Sequence, residues 1–154
     1  MKRLKYLALA GYAFVALIML IMASTFLTAT EFFPYHAAAS GLEWKALDPG
    51  LQTVILAVFK ICGAGWLTGS VALIVLLVFP FGRRDEVWSY FAIPVLSLIF
   101  WGITFATTMH IATTTPATPP WKGSLFCIGL TLLGALSSWL SRIGAAREEA
   151  PSPG

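Results

Sequence analysis

Four long runs of apolar residues constrain this sequence more than any other feature. They cover about residues 6–29, 51–81, 87–112 and 121–143. An α-helix needs roughly 20 residues to cross about 30 Å of hydrocarbon, and each run is longer than that. The strands of a membrane β-barrel would be shorter and would alternate between apolar and polar residues. The runs therefore predict four membrane-spanning helices.

The composition also indicates a membrane protein with one domain. Charged residues make up 11% of the 154 residues and hydrophobic residues 58%, whereas a soluble domain carries about 25% charged residues. We predict an all-α integral membrane four-helix bundle over residues 1–146, followed by a disordered cytoplasmic tail over 147–154. Basic residues form no stripe and no nucleic-acid motif occurs, so we expect no nucleic-acid partner.

The distribution of lysine and arginine predicts the orientation of the four helices. Seven of these residues flank one side of the predicted bundle, whereas only Lys45 and Lys122 flank the other side. Basic residues in short loops mark the cytoplasmic side of a membrane protein. We therefore expect a multi-pass protein of the bacterial inner membrane with both termini in the cytoplasm. The seven residues are Lys2, Arg3, Lys5, Arg83, Arg84, Arg142 and Arg147.

The first outer loop, residues 30–50, carries the signals of a short helix. Ser40 and Glu43 have the spacing of a capping box. The apolar side of the helix would consist of Leu42, Trp44 and Leu47. We therefore predict a short interfacial helix along the membrane surface. Asp48 and Pro49 then predict the start of the second span, with the aspartate as its cap and the proline at its first position.

Small residues indicate how the spans pack together, because lipid is as apolar as leucine and burial of apolar side chains cannot drive association. Gly65 and Gly69 form a GxxxG pair, and Gly134 and Ser138 have the same spacing. Either pair predicts packing within the bundle, or an interface with a second copy or a larger membrane complex. The third span also carries a polar seam, which either faces the bundle or lines a ligand cavity. Its residues are Pro94, Ser97, Trp101, Thr104 and Thr108.

Ionisable residues at the outer ends of three spans form the candidate functional site. At 1.5 Å per residue, Glu31, Lys60 and His110 each lie roughly 33 to 38 Å from the inner ends of their helices. This distance is close to the thickness of the hydrocarbon layer, so the three side chains are predicted to reach one level at the outer face. The loop after the first span folds back over this level, and the fourth span begins there. The candidate ligand-binding residues are Glu31, Tyr35, His36, Lys60, His110 and Trp121.

Three kinds of chemistry fit these residues. Glu31 and Lys60 can form an ion pair and leave the histidines as ordinary interfacial residues. The set can instead form a pocket for a lipid, a quinone or another small amphiphile. His36, His110 and Glu31 also have the composition of a two-histidine, one-carboxylate metal site, and two histidines can ligate a haem. No HxxxH or ExxH spacing supports a metal site.

The sequence therefore leaves three functions open. The protein binds an amphiphile at its outer face, serves as a structural or accessory subunit of a larger membrane complex, or is a small oxidoreductase containing metal or haem. No CxxC, Walker, HExxH or GxSxG motif occurs, and whether the protein is an enzyme stays open. Membrane lipids are the expected partners, and the cofactor is unknown.

One pattern of residues is shared with a known family. It consists of Pro34-Tyr35-His36, Gly41, Trp44, Gln52, residues 63–65 and Pro120-Trp121. Over about residues 6–145 the chain resembles a family of small, uncharacterised bacterial inner-membrane proteins with four spans, in which a Pro-Tyr-His stretch and a tryptophan-bearing loop follow the first helix. Two prolines precede Trp121 where that family has one. The resemblance implies the four-span topology and no activity. A looser likeness, in architecture alone, is to four-helix proteins of the DoxX type.

Overall fold

The computed structural model describes residues 2–149, and all regular structure in that range is helical. Four of its helices are long and apolar enough to cross a membrane. They are α1 (Lys2–Thr28), α3 (Pro49–Leu76), α4 (Ser89–Thr114) and α5 (Trp121–Glu149). The protein is therefore an all-α, multi-pass membrane protein, which confirms the predicted four-helix bundle. Because α5 continues through Glu149, residues 147–149 of the predicted tail are helical, and residues 150–154 lie outside the described range.

The loop between α1 and α3 contains a short helix, but not at the predicted place. Helix α2 spans Pro34–Ser40, and the residues after it form only a 3₁₀ turn, Trp44–Ala46. Pro34 is the first residue of α2. Proline is favourable there because the backbone N–H groups of the first turn have no acceptor within the helix, so the N–H that proline lacks is not needed. Gly41 ends α2 in the left-handed conformation, with φ of 69°. Ser40 thus ends a helix instead of starting one, and the predicted capping box of Ser40 and Glu43 is wrong.

Helix α3 begins where the sequence predicts. The Asp48 carboxylate accepts a hydrogen bond from the Gly50 N–H at 2.8 Å, and Pro49 occupies the first helical position. The side-chain amide of Gln52 donates to the carbonyl oxygens of Trp44 at 2.9 Å and Leu47 at 3.3 Å. The 3₁₀ turn is therefore held against the first turn of α3.

Helix α1 packs against both α3 and α5, and α4 packs against α5. Buried residues recur at intervals of three and four along these seams, which is the spacing of a left-handed coiled coil. On α3 they are Phe59, Gly63, Trp66, Ser70 and Leu73. On α5 they are Ser124, Cys127, Thr131, Gly134, Ser138 and Ser141, and Ser137 beside them is also buried. The small residues of α5 allow close approach of its neighbours, which is the main source of helix association in lipid.

The seam between α3 and α4 differs from the other three, because the two helices make few direct contacts. Aromatic side chains bridge it: the Trp66 ring centroid lies 4.5 Å from that of Phe100 and 5.3 Å from that of Trp101. On the α5 side of α4, the hydroxyls of Ser97 and Thr131 form a buried hydrogen bond of 2.9 Å. The first part of the predicted polar seam thus faces the bundle.

The GxxxG pair does not act as one packing surface. A Cβ at Gly65 would meet nothing within 4 Å, whereas a Cβ at Gly69 would lie 2.6 Å from the terminal carbon of Met19. Backbone approaches backbone at Gly63, where a Cβ would lie 3.0 Å from the Leu27 nitrogen. Contacts within the bundle therefore use Gly63 and Gly69. An interface with another chain through Gly65 stays a prediction.

Candidate functional site

Aromatic rings from the end of α1, the following loop, α2 and α3 gather at one end of the bundle. We call this cluster the aromatic cap; its members are Phe26, Phe32, Phe33, Tyr35, His36, Trp44 and Phe59. Phe33 stacks on Phe59 with centroids 5.2 Å apart and planes 14° apart. His36 lies 5.1 Å from the Phe59 ring and 4.0 Å from the Tyr35 ring. The buried Phe59 ring is thus the point on α3 to which α2 is fixed.

His36 has a defined hydrogen-bonding state within this cap. Its Nδ1 accepts a hydrogen bond from the Phe33 N–H at 3.2 Å. Burial lowers the pKa of His36 below its usual value, so the ring is neutral at pH 7. A neutral imidazole has one donor and one acceptor nitrogen, and the proton therefore lies on Nε2. Among the described groups, which include the side chains of residues 3–145, this Nε2–H has no acceptor.

Beside the cap lies an open-sided cavity of about 450 Å³, which we call the loop cavity. It is lined by Phe32, His36, Ala39, Ser40, Leu42, Leu47, Leu51, Ile55 and Phe59. The Ser40 hydroxyl already accepts from the Leu42 N–H at 3.3 Å and lies 3.4 Å from the Ala37 carbonyl oxygen. The lining is therefore largely apolar, and the Nε2–H of His36 is the one side-chain donor among these residues that has no partner in the described part of the chain. Its volume is in the range of small-molecule sites, about 300 to 1,000 Å³.

Lys60 lies near this end of the bundle and makes a contact that the sequence did not predict. Its ammonium donates to the carbonyl oxygen of Leu27, one residue before the end of α1. The last carbonyl groups of a helix lack intrahelical partners and attract cations, so Lys60 caps α1 from the neighbouring helix. The predicted ion pair with Glu31 is not formed, since the one ion pair among the described side chains joins Lys5 and Asp85.

Three further predicted residues lie outside the aromatic cap. Glu31 and His110 are exposed, and neither lines the loop cavity. Trp121 contacts Phe105 at 6.5 Å between centroids, and the Lys122 ammonium lies 5.6 Å from the Trp121 ring. The structure therefore brings together Tyr35 and His36 but not the other four candidates.

A metal site at this end has no support from the geometry. In the part of the chain that the structure describes, no three His, Cys, Asp or Glu side chains are grouped so that they could hold a metal ion. His36, His110 and Glu31, the set that the sequence offers for such a site, do not converge. One nitrogen of His36 is moreover occupied by the Phe33 N–H.

The opposite end, which we call the basic end, carries a polar cluster that no sequence pattern singled out. Asp85, with φ of 55°, pairs with Lys5 and accepts a hydrogen bond from the Tyr90 hydroxyl at 2.7 Å. The Arg142 guanidinium lies 5.3 Å from the Tyr90 ring. Burial alone would raise the pKa of Asp85, but hydrogen bonds from Lys5 and Tyr90 and the charges of Lys5 and Arg142 outweigh it and lower that pKa. The cluster ties α1, α4 and α5 to the turn after α3.

Because the pKa of Asp85 is lower in the folded state than in the unfolded state, the ionised Asp85 carboxylate stabilises the fold. This stabilisation is present above the pKa of an aspartate in the unfolded chain, about 3.9, and is lost as the pH falls below that value. More than half of the Asp85 side chain is exposed, so we expect no more than about 1 kcal/mol. The melting temperature of the protein in detergent, measured between about pH 6 and pH 3, should therefore fall less for Asp85→Asn than for the wild type. Glu86→Gln is the control, since Glu86 makes no ion pair among the described side chains. Equal pH dependence of Asp85→Asn and the wild type would contradict this role.

No family model matches the chain, and no curated protein and no solved structure is significantly similar to it. The resemblance to a four-span bacterial family therefore stays a prediction.

Proposed function

We propose that this protein binds a neutral membrane amphiphile with a flat, carbonyl-bearing ring, of the quinone class, in the loop cavity. The observation that carries the proposal is an apolar, aromatic-lined cavity with one available N–H donor, that of His36. The proposal restricts the class of ligand: the sequence led us to expect a polar outer-face site for a lipid, a quinone or another small amphiphile.

The lining of the cavity supports a neutral ligand. No lysine or arginine lines it, and burial keeps His36 neutral by lowering its pKa. An anionic headgroup would therefore find no opposite charge there, and burying an unpaired charge is costly. A ligand with apolar substituents and one hydrogen-bond acceptor meets no such cost.

The aromatic rings support a flat ligand. Phe32 and Phe59 both line the cavity, and aromatic rings interact favourably with one another in stacked or edge-to-face arrangements. The Nε2–H of His36 supplies a hydrogen bond to a ring carbonyl, which fixes the orientation of the ring. The lipid-soluble tail of a quinone would extend from the open side of the cavity into the membrane.

We also propose that the protein resides in the bacterial inner membrane with both termini in the cytoplasm. The excess of basic residues at one end of the bundle supports this orientation. The loop cavity then opens at the periplasmic face, at the level of the lipid headgroups.

The test is equilibrium binding of a decyl-substituted benzoquinone to the detergent-purified protein. We expect saturable binding that His36→Phe weakens about tenfold, since that variant keeps a ring and removes a hydrogen bond worth about 1.5 kcal/mol. Ile55→Trp, which fills the cavity from α3, should abolish binding. His110→Phe is the matched control, because His110 is exposed and does not line the cavity.

Decanol, which has the chain without the ring, separates ring recognition from partitioning of the tail. If decanol competes as well as the quinone, or if His110→Phe weakens binding as much as His36→Phe, the proposal is wrong. Circular dichroism of each variant verifies that the helices are intact.

An accessory role in a larger membrane complex is the second candidate. The exposed backbone at Gly65, where a side chain would meet nothing within 4 Å, supports it because another helix could approach closely there. Retention of a stoichiometric partner by the wild-type protein, lost in Gly65→Leu, is the expected result for that role.

A further inference from the structure

A groove of about 520 Å³ runs between α1 and α3 toward the basic end, far from the loop cavity. On α1, Ala13 and Ala16 leave space between the two helices. Leu17 and Val78 line the groove and are 50% and 40% exposed, so its long side is open to lipid. The groove has the size of a small-molecule site and almost no polar lining except at its end.

The end of the groove is shaped by a π-helical segment, Leu77–Arg83, which continues α3. Pro80 has no backbone N–H to donate within the helix. A π-helical turn, which is wider than an α-helical turn, allows the neighbouring backbone groups to form hydrogen bonds in spite of the proline. The Arg84 N–H accordingly bonds the Phe79 carbonyl oxygen, five residues back, at 3.0 Å. A Cβ at Gly82 would lie 2.7 Å from the Leu77 carbonyl oxygen, so this turn has room only for glycine. The turn places Arg83 at the mouth of the groove.

Arg83 is the cation available at that mouth. It forms no ion pair with any described side chain, and its guanidinium lies 5.2 Å from the Phe79 ring centroid. Lys5 lines an adjoining cavity of about 230 Å³, which shares Leu9 and Gly82 with the groove. The charge of Lys5 is balanced by Asp85, whereas that of Arg83 is not.

We propose that an anionic phospholipid binds at this groove, with one acyl chain between α1 and α3 and its phosphate on Arg83. Guanidinium groups bind phosphate with two parallel hydrogen bonds, and the groove continues from that position into the hydrocarbon layer. A second copy of this chain fits less well, because a parallel pair would bring two basic ends together. This site is independent of the loop cavity and of its ligand.

The test is native mass spectrometry of the detergent-purified protein with phosphatidylglycerol, and with phosphatidylcholine of the same acyl chains as the zwitterionic reference. We expect preferential retention of phosphatidylglycerol. Arg83→Gln should weaken it about fivefold, the effect of one basic residue near an anionic lipid. Ala13→Leu, which fills the groove without changing charge, should weaken it at least as much. Arg84→Gln is the matched control, since Arg84 does not line the groove, and should change retention less than twofold.

Equal weakening by Arg84→Gln and Arg83→Gln would show that phosphatidylglycerol is retained by general attraction to the basic end, not by Arg83 at the groove, and would overturn the proposal. So would equal retention of the two lipids, or displacement of the lipid by soluble glycerol phosphate at the same concentration. If Ala13→Leu does not fold, a second experiment tests the site. The wild-type protein is photolabelled with phosphatidylglycerol that carries a diazirine in its acyl chain. Label concentrated in residues 9–20 and 74–83 supports the site, whereas label spread evenly over the lipid-facing helices contradicts it.

Discussion

Replacement of Tyr12 by alanine should destabilise the folded bundle by about 3 kcal/mol, the low end of the cost of removing a large buried ring. Tyr12 is fully buried on α1. Its ring meets Phe81 edge-on with centroids 6.1 Å apart, and it occupies the space left by Gly134, whose Cβ would lie 2.9 Å from it. The ring therefore fills the junction of α1, α5 and the π-helical segment. The low end applies because in lipid the loss is mainly one of packing contacts.

The measurement is reversible unfolding of the purified protein in mixed micelles by increasing fractions of sodium dodecyl sulfate. Tyr12→Phe is the control, because it keeps the ring and removes only the hydroxyl; we expect it to change the free energy of unfolding by less than about 1.5 kcal/mol. Similar losses in both variants would show that the hydroxyl, not the packing of the ring, stabilises the junction.

Gly63→Ala should destabilise the bundle by about 1 to 2 kcal/mol, even though alanine is the better helix former. A Cβ at this position would lie 2.7 Å from the Leu27 Cγ and 3.0 Å from the Leu27 backbone nitrogen. The side chain of Leu27 can move, but its backbone belongs to the last turn of α1. The two helices must therefore separate, which also draws Lys60 away from the Leu27 carbonyl that it caps.

Gly65→Ala is the matched control in the same micelle unfolding assay. It lies on the same helix, two residues away, and its Cβ would meet nothing within 4 Å. We expect it to be neutral or to stabilise the protein by up to about 1 kcal/mol. Equal destabilisation by both substitutions would contradict the close approach at Gly63 and indicate a general cost of added side chains along this helix.

Local signals in the sequence predicted the parts of the fold that depend on local chemistry. The four spans follow from length and apolarity, and the start of α3 follows from Asp48 and Pro49. The position of α2 was also readable, since Pro34 and Gly41 have the places of a first helical residue and a left-handed terminator. The spacing of Ser40 and Glu43 obscured it, because the same serine fits the beginning or the end of a helix.

The sequence could not predict which of the candidate side chains meet, because counting residues along a helix gives depth but not direction. Glu31, Lys60 and His110 were placed at one level by that counting, yet Glu31 and His110 are exposed and Lys60 bonds the end of α1. Phe59 anchors the aromatic cap by stacking on Phe33, a contact between residues far apart in sequence. The Lys5–Asp85 pair likewise spans 80 positions, and no periodicity signals it.

The thin seam between α3 and α4 gives the bundle a weak side. At the other three seams the helix backbones lie close together and small residues pack between them. At this seam the contact is made mainly by the Trp66 ring against the rings of Phe100 and Trp101. Thermal fluctuation should therefore separate α3 from α4 before any other pair of helices, while the α1–α5 seam on the opposite side stays closed. At the basic end, the contacts of Asp85 with Lys5 and Tyr90 limit this opening.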